Sequence, residues 1–233
     1  MPATPSIAEL ELLARSKDLV GYFGYGSLVN RATLTTGVVA AWPARLIGWR
    51  RTWRARPDMT AGPGDAEPGS AAAVSLPDGS TPSLLSAHRA PGAGIDGLLV
   101  VDFAENLAAI DAREFRYHRR DISLAELAFA TGVTGIGAQL DIGLHVYEAR
   151  IEHPPVAGPS AILRSYLDAV MQGFLREFGA GGVHRFVAET DAFHMPVHED
   201  RHAPLYPRAV RLTAAEIELF DAALSPPPRP AGN

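Results

Sequence analysis

Apolar and polar positions along the chain predict a mixed fold. Short apolar runs bounded by glycine or proline dominate the first half and are typical of buried strands. Residues spaced three and four apart dominate the second half and predict amphipathic helices. The predicted fold class is therefore α+β. Predicted strands cover residues 20–23, 38–56, 71–76, 83–87, 95–103 and 144–151; predicted helices cover 6–16, 30–34, 104–115, 159–178 and 213–224.

Capping residues support several of these helices. Thr213 followed by Glu216 has the spacing of a capping box. Asn30 can cap a short helix, and Ser6 can cap the first one. A proline and a serine at 159–160 predict the start of the longest helix. Glycines at 179, 181 and 182 predict where that helix ends.

Composition narrows the class of protein. Of 233 residues, 47% are hydrophobic and 20% are charged, which is typical of a globular chain. The net charge of −5 argues against nucleic-acid binding, which depends on a basic surface. Cysteine is absent, so disulfides, zinc thiolates and a thiol nucleophile are excluded. No apolar run approaches the ~18 residues of a membrane span, and no signal-peptide pattern is present. We expect a cytoplasmic protein that binds no membrane.

The boundaries predict one domain over residues 1–225. A stretch rich in glycine and proline at 57–70 is predicted to be a loop insert in that domain. The proline-rich residues 226–233 are predicted to be a disordered tail. The sequence is compatible with a monomer or a homodimer.

A glycine-rich turn at residues 24–28 follows the first strand. Such a turn can direct successive backbone N–H groups toward an anion without any charged side chain. Val29 stands where a dinucleotide-binding motif or a hydrolase nucleophile elbow requires glycine. The alternative interpretation is an ordinary turn between a strand and a helix.

Glu114 occupies an unusual position in the predicted helix 104–115. Phe103, Leu107 and Ile110 form an apolar stripe, and the same spacing places Glu114 and then Tyr117 next on it. Apolar surroundings raise a carboxyl pKa toward the range of a general base. The alternative is a carboxylate neutralised by a neighbouring arginine, at position 113, 116 or 119.

One strand interleaves tryptophan and arginine. Trp49, Arg51 and Trp53 share one face of it, and Arg50, Thr52, Arg54 and Arg56 share the other, which we expect to be solvated. Arg51 is expected to face inward, where it can bind an anion or form a structural ion pair. The acidic overall balance argues against a nucleic-acid surface here.

Histidines at 194, 198 and 202 have a four-residue spacing that can bind a metal on a helix. Prolines interrupt the segment, however, and it contains no H-E-x-x-H pattern. We therefore predict a polar loop and no metal site.

Three segments together resemble the γ-glutamylcyclotransferase superfamily, its ChaC-like branch most closely. They are the turn FGYGSL at 23–28, the strand GWRRTW at 48–53 and the segment DAREFRY at 111–117. The resemblance implies a small mixed β-barrel with flanking helices. It also implies an enzyme that cyclises a γ-glutamyl amino acid, peptide or amine to 5-oxoproline and needs no metal or cofactor.

The resemblance implies Glu114 as the catalytic acid and base. The segment 194–208 is a candidate lid that brings Tyr206 or Arg201 to the substrate. Two other functions use the same pocket: a non-catalytic metabolite-binding module, and a hydrolase or transferase acting on γ-glutamylamines. The predicted substrate-binding residues are Tyr25, Gly26, Ser27, Leu28, Arg51, Tyr117 and Tyr206.

Overall fold

The computed structural model describes residues 7–14, 17–34, 37–59, 75–129 and 142–225. The strands among them are β1 Leu19–Gly24, β2 Ala40–Arg54, β3 Thr81–Pro82, β4 Leu84–Phe103, β5 Tyr117–Ile122, β6 Leu127–Phe129, β7 Gly143–Ala149, β8 Ser160–Leu163, β9 Thr190–Asp191 and β10 Val197–His198. The helices are α1 Ile7–Ala14, α2 Leu107–Arg113, α3 Arg164–Ala188 and α4 Ala214–Leu224. The α+β class predicted from the sequence is confirmed.

The main sheet is mixed. Its strand order is β5-β7-β1-β4-β2-β6, and β9 pairs with β2 beside this path. β1 runs parallel to β7 and antiparallel to β4. Every residue of β1 is buried, which explains its unbroken apolar sequence. Within the described residues these pairings form an open path, and a second small sheet has the order β10-β8-β3.

The long strands β2 and β4 form the antiparallel centre of this sheet. Their register shifts between Ile47 and Trp49, around Gly48 at a φ of 80°. Beyond the shift, Trp49, Arg51 and Trp53 are almost fully buried on one face, as predicted. The predicted strands 83–87 and 95–103 are the two ends of one strand, β4. Both ends pair with β2, and the residues between them bulge out of the pairing.

The start predicted for the longest helix is wrong. Residues 160–163 form β8, which pairs in parallel with β3 and β10, and α3 begins only at Arg164. Sheet pairing outweighs the helical spacing here because it buries Ile162 and Leu163. The predicted end is confirmed, since Gly179 has non-helical angles (φ 67°, ψ −172°). A second helical stretch, which the sequence did not predict, continues from there to Ala188.

The other helices follow the sequence more closely. The Thr213 side chain accepts a hydrogen bond from the Glu216 amide, which confirms the capping box. Asn30 caps a 3-10 turn over Arg31–Thr33. The predicted helix 104–115 is a 3-10 turn followed by α2, and it ends before Glu114. Ser6, residues 60–74 and residues 226–233 lie outside the described residues.

Helix α3 packs its buried face against the sheet and thereby positions the glycine turn. Leu167, Val170 and Phe174 belong to the main apolar core together with Phe23 of β1. No helix within the described ranges is both long and apolar enough to cross a membrane.

Gly173 lets α3 approach the residue that follows the turn. A Cβ atom at this position would lie 2.6 Å from the backbone nitrogen of Asn30. We predict that Gly173→Ala lowers the free energy of unfolding by about 1–3 kcal/mol, because neither backbone can move without repacking. Gly181→Ala on the same helix is the control, since its Cβ would meet only the tip of Arg185 at 3.5 Å. Urea unfolding of both variants checks this, and equal losses would contradict it.

Candidate functional site

The glycine turn is shaped by close packing. A Cβ atom on Gly24 would lie 2.6 Å from the Cβ of Leu28, and one on Gly26 would lie 2.8 Å from the Tyr166 hydroxyl. Gly26 has a φ of −123°, which other residues also adopt. Close packing against Leu28 therefore requires glycine at position 24, and a larger residue at position 26 would displace the Tyr166 hydroxyl.

The turn leaves two backbone donors available. The Ser27 amide donates to the Tyr166 hydroxyl. The Gly26 and Leu28 amides donate to no acceptor within the described residues, although both residues line a cavity. Two such N–H groups in a cavity wall are suited to binding an oxyanion or a carboxylate.

Glu114 lines the same cavity as this turn and comes just after α2 ends. Its side chain is 15% exposed. Burial raises the pKa of the Glu114 carboxyl, and the positive charges of Arg113 and Arg208 offset only part of that effect. The sequence suggested either a buried base or a carboxylate paired with arginine, and the structure combines the two.

Arg113 connects the turn to Glu114. Its Nη1 donates to the Thr33 carbonyl at 2.9 Å and its Nη2 to the Ser27 hydroxyl at 3.2 Å. Its Nε lies 3.0 Å from Glu114 Oε1 without the alignment of a hydrogen bond. The guanidinium thus fixes the distance between turn and carboxylate while leaving the carboxylate free to exchange a proton.

The cavity has two adjacent chambers that share Ser27, Glu114, Tyr117 and Tyr166. The narrow chamber, of about 30 Å³, is completed by Phe23, Tyr25, Gly26, Leu28, Leu85 and Tyr147. The wide chamber, of about 120 Å³, is completed by Arg56, Ser83, Leu84, Arg113, Arg116, Leu163, Tyr206 and Arg208. Glu114 therefore lies where the two chambers meet.

Tyrosines form much of the narrow chamber. The Tyr25 hydroxyl donates to the Tyr147 carbonyl at 2.5 Å, and the Tyr117 hydroxyl donates to the Leu85 carbonyl at 3.0 Å. Burial raises the pKa of Tyr25, Tyr117 and Tyr166. These phenols are therefore neutral near pH 7 and give the chamber a polar wall without negative charge.

The wide chamber contains three arginines that the sequence analysis did not assign to the site: Arg56, Arg116 and Arg208. Burial lowers the pKa of Arg56 to about 10 and lowers that of Arg116. Both remain charged near neutral pH. The sequence placed Arg56 on a solvated face, but β2 ends at Arg54, so strand alternation does not extend to position 56.

Most of the predicted site residues meet around this cavity. Tyr25, Gly26 and Leu28 line the narrow chamber, Tyr206 lines the wide one, and the residues shared by both chambers include Ser27, Glu114 and Tyr117. The predicted catalytic residue therefore lies beside six of the seven predicted substrate-binding residues.

Arg51 lies outside the cavity. Its guanidinium is packed between Phe174 and Phe186, 4.8 and 4.9 Å from their ring centres. Its Nη1 donates to the carbonyls of Tyr25 and Asp96, at 3.3 and 3.0 Å. Arg51 thus supports the turn from behind instead of facing the cavity.

The tail segment is divided between the cavity and the surface. Arg201 lies away from the cavity and binds Asp168 at 2.7 Å and Asp221 at 3.1 Å. His198 is in β10 and pairs with Leu163. No group of three or more histidine, aspartate or glutamate side chains in the described ranges is arranged to hold a metal ion.

Comparisons with known proteins concern the fold. No protein-family model and no curated protein sequence matches the chain. A solved gamma-glutamyl cyclotransferase structure is similar at 12% identity and a TM-score of 0.49, over 88% of this chain and 99% of that one. An uncharacterized protein from Homo sapiens is 12% identical with a TM-score of 0.47, again over 88% and 99%.

A gamma-glutamyl cyclotransferase from yeast, specific to glutathione, is 13% identical with a TM-score of 0.41, over 89% of this chain and 97% of that one. These similarities are at low sequence identity and extend over most of the chain.

Proposed function

We propose that this chain is a γ-glutamylcyclotransferase-like lyase. It cyclises a γ-glutamyl amino acid, peptide or amine to 5-oxoproline and releases the amine. The observation that carries the proposal is the position of Glu114, a largely buried carboxylate that lines the same small chamber as Gly26 and Leu28 of the turn. Cyclisation requires a base and an oxyanion site within reach of one small substrate.

One carboxyl group, that of Glu114, can carry the protons that this reaction moves. Glu114 takes a proton from the α-ammonium of the substrate, and the freed amine attacks the γ-carbonyl carbon. The new C–N bond closes a five-membered ring, and the oxygen that becomes negative is stabilised by the Gly26 and Leu28 amides. The protonated Glu114 then gives its proton to the leaving nitrogen as the original amide bond breaks. The ring nitrogen gives up its second proton to the released amine through Glu114, so the amine departs as an ammonium.

The chambers supply the geometry for this step. The attack is intramolecular, so holding the γ-glutamyl group in a curled conformation supplies a large part of the acceleration. The narrow chamber has tyrosine and leucine walls and a volume of about 30 Å³, which limits the substrate's conformations there. The leaving group then extends from Glu114 into the wide chamber.

Removing the carboxylate tests the role of Glu114. We predict that Glu114→Gln lowers kcat/KM by about 10²–10⁴-fold, because the amide has the same shape but cannot accept the proton. Mass spectrometry of the products from γ-glutamyl amino acids, glutathione and γ-glutamylamines measures this. The expected product of the unmodified chain is 5-oxoproline.

Glu105→Gln is the matched control, because Glu105 is exposed on the 3-10 turn that precedes α2. It is expected to retain full activity. Full activity in Glu114→Gln would eliminate the mechanism. Glutamate in place of 5-oxoproline would support the hydrolase alternative, and a rise in melting temperature with no turnover would support the binding module.

The pH dependence follows from the charge around Glu114. Activity requires the ionised carboxylate, so kcat/KM falls as the pH decreases through the pKa of Glu114. Because burial raises this pKa, the fall begins at a higher pH than for an exposed glutamate. Arg208→Gln removes a charge that stabilises the ionised form, so the acid limb moves to higher pH.

The pH–rate profile is measured on γ-glutamyl-ethylamide, whose leaving group carries no charge. Arg119→Gln is the control, since Arg119 pairs with Asp111 outside the cavity. An acid limb that stays in place in Arg208→Gln, or moves to lower pH, would contradict this account of Glu114.

A further inference from the structure

The wide chamber holds an excess of positive charge. Arg56, Arg116 and Arg208 line it, and within the described part of the chain none of them forms an ion pair with a carboxylate. Glu114 is the only acidic residue of the lining, and it is already paired with Arg113. Among its described lining residues the chamber therefore has four arginines and one carboxylate, an excess of three positive charges in a chain whose net charge is −5.

Several other arginines of this chain have acidic partners, whereas some outside the chamber, such as Arg54 and Arg150, have none within the described residues. Arg31 binds Glu177, Arg45 binds Asp96 and Glu189, and Arg50 binds Asp191, all at 2.6–2.8 Å. The chamber's three guanidinium groups are half-buried and keep their charge near neutral pH, so leaving them without a counter-charge is costly. Three of them around one cavity indicate that a ligand supplies the missing negative charge.

A neutral donor in the same wall has no partner either. The Ser83 hydroxyl is buried and forms no hydrogen bond, although Ser83 lines the wide chamber. Ser83 is held in place by its backbone, whose amide donates to the Ala161 carbonyl at 2.7 Å. A hydroxyl beside three guanidinium groups can donate to the same anion.

The γ-glutamyl group cannot supply enough charge. It carries one carboxylate, and its ammonium cancels that charge until Glu114 removes the proton. The bond that breaks must lie beside Glu114, where the chambers meet, so the part beyond that bond lies in the wide chamber. Most of the charge that balances the three arginines must therefore come from the leaving group.

We propose that this chain selects substrates whose leaving group carries at least two negative charges, an inference that rests on the proposed function. Carboxylates or a phosphate supply these charges, and Arg56, Arg116 and Arg208 bind them with the Ser83 hydroxyl. The chamber is thus a specificity site for acidic leaving groups, separate from the turn that holds the γ-glutamyl group.

A panel of γ-glutamyl compounds that differ only in the leaving group tests this. The members are γ-glutamyl-aspartate, γ-glutamyl-phosphoethanolamine, γ-glutamyl-alanine and γ-glutamyl-ethylamide. We expect kcat/KM to be about 10- to 100-fold higher for each dianionic leaving group than for the ethylamide, mainly through KM, as for charged hydrogen bonds. The order of the aspartate and phosphate compounds shows which anion is preferred.

Charge removal in the chamber provides the matched comparison. In Arg116→Gln the ratio of kcat/KM for γ-glutamyl-aspartate to that for the ethylamide should fall about tenfold or more. In Arg119→Gln, outside the chamber, the ratio should be unchanged. Melting curves show whether Arg116→Gln is folded. If it is not, Arg208→Gln gives the same comparison.

The two proposals fail in different ways. If the ethylamide and the alanine compound are converted to 5-oxoproline as well as the dianionic compounds, the specificity proposal is wrong and the lyase proposal stands. If no member of the panel yields 5-oxoproline, the lyase proposal fails, and the specificity proposal fails with it. A ratio that stays constant in both Arg116→Gln and Arg208→Gln also overturns the specificity proposal.

Discussion

The guanidinium of Arg113 is the interaction on which the site depends. It binds the turn through Ser27 and Thr33 and lies 3.0 Å from the Glu114 carboxylate. Taking a carboxylate out of water costs several kcal/mol, and an ion pair repays this only in part when its geometry is imperfect. The pKa of Glu114 accordingly remains raised despite its partner. The same contact therefore keeps Glu114 in place and leaves it basic enough to accept a proton.

The turn that Arg113 holds from one side is supported from two others. Arg51 lies behind it, fully buried between two phenylalanine rings, and donates to the Tyr25 carbonyl. Asn30 fastens it to α3 by donating to the Ala169 carbonyl and the Gln172 side chain. The glycine turn cannot use free N–H groups for hydrogen bonds within its own backbone. Side chains from the sheet and from α3 stabilise it instead. This division explains why a polar network is buried around an otherwise apolar core.

Sequence patterns located the elements whose signals are local. The apolar run before the turn and the capping box at Thr213 each depend on neighbouring residues, and the structure has both. Glu114 is largely buried as the stripe suggested, although Phe103 belongs to β4 and α2 ends before Glu114. The start of α3 depends instead on pairing between distant strands, which periodicity does not report.

The arginine-lined chamber was missed for a related reason. Arg56, Arg116 and Arg208 come from three separate segments, and no sequence pattern indicates that these three side chains meet. Their shared property, the lack of acidic partners, exists only after folding. For Arg51, in contrast, the sequence predicted the inward orientation of the side chain. It could not show whether the guanidinium would bind a ligand or backbone carbonyls.

The most direct test is a crystal structure of the Glu114→Gln variant with γ-glutamyl-aspartate bound. The account predicts the substrate's α-nitrogen within hydrogen-bond distance of the side chain at position 114. It also predicts the γ-carbonyl oxygen at the Gly26 and Leu28 amides, with the aspartyl carboxylates in the wide chamber. A γ-glutamyl group bound among the arginines, with the turn amides empty, would contradict it.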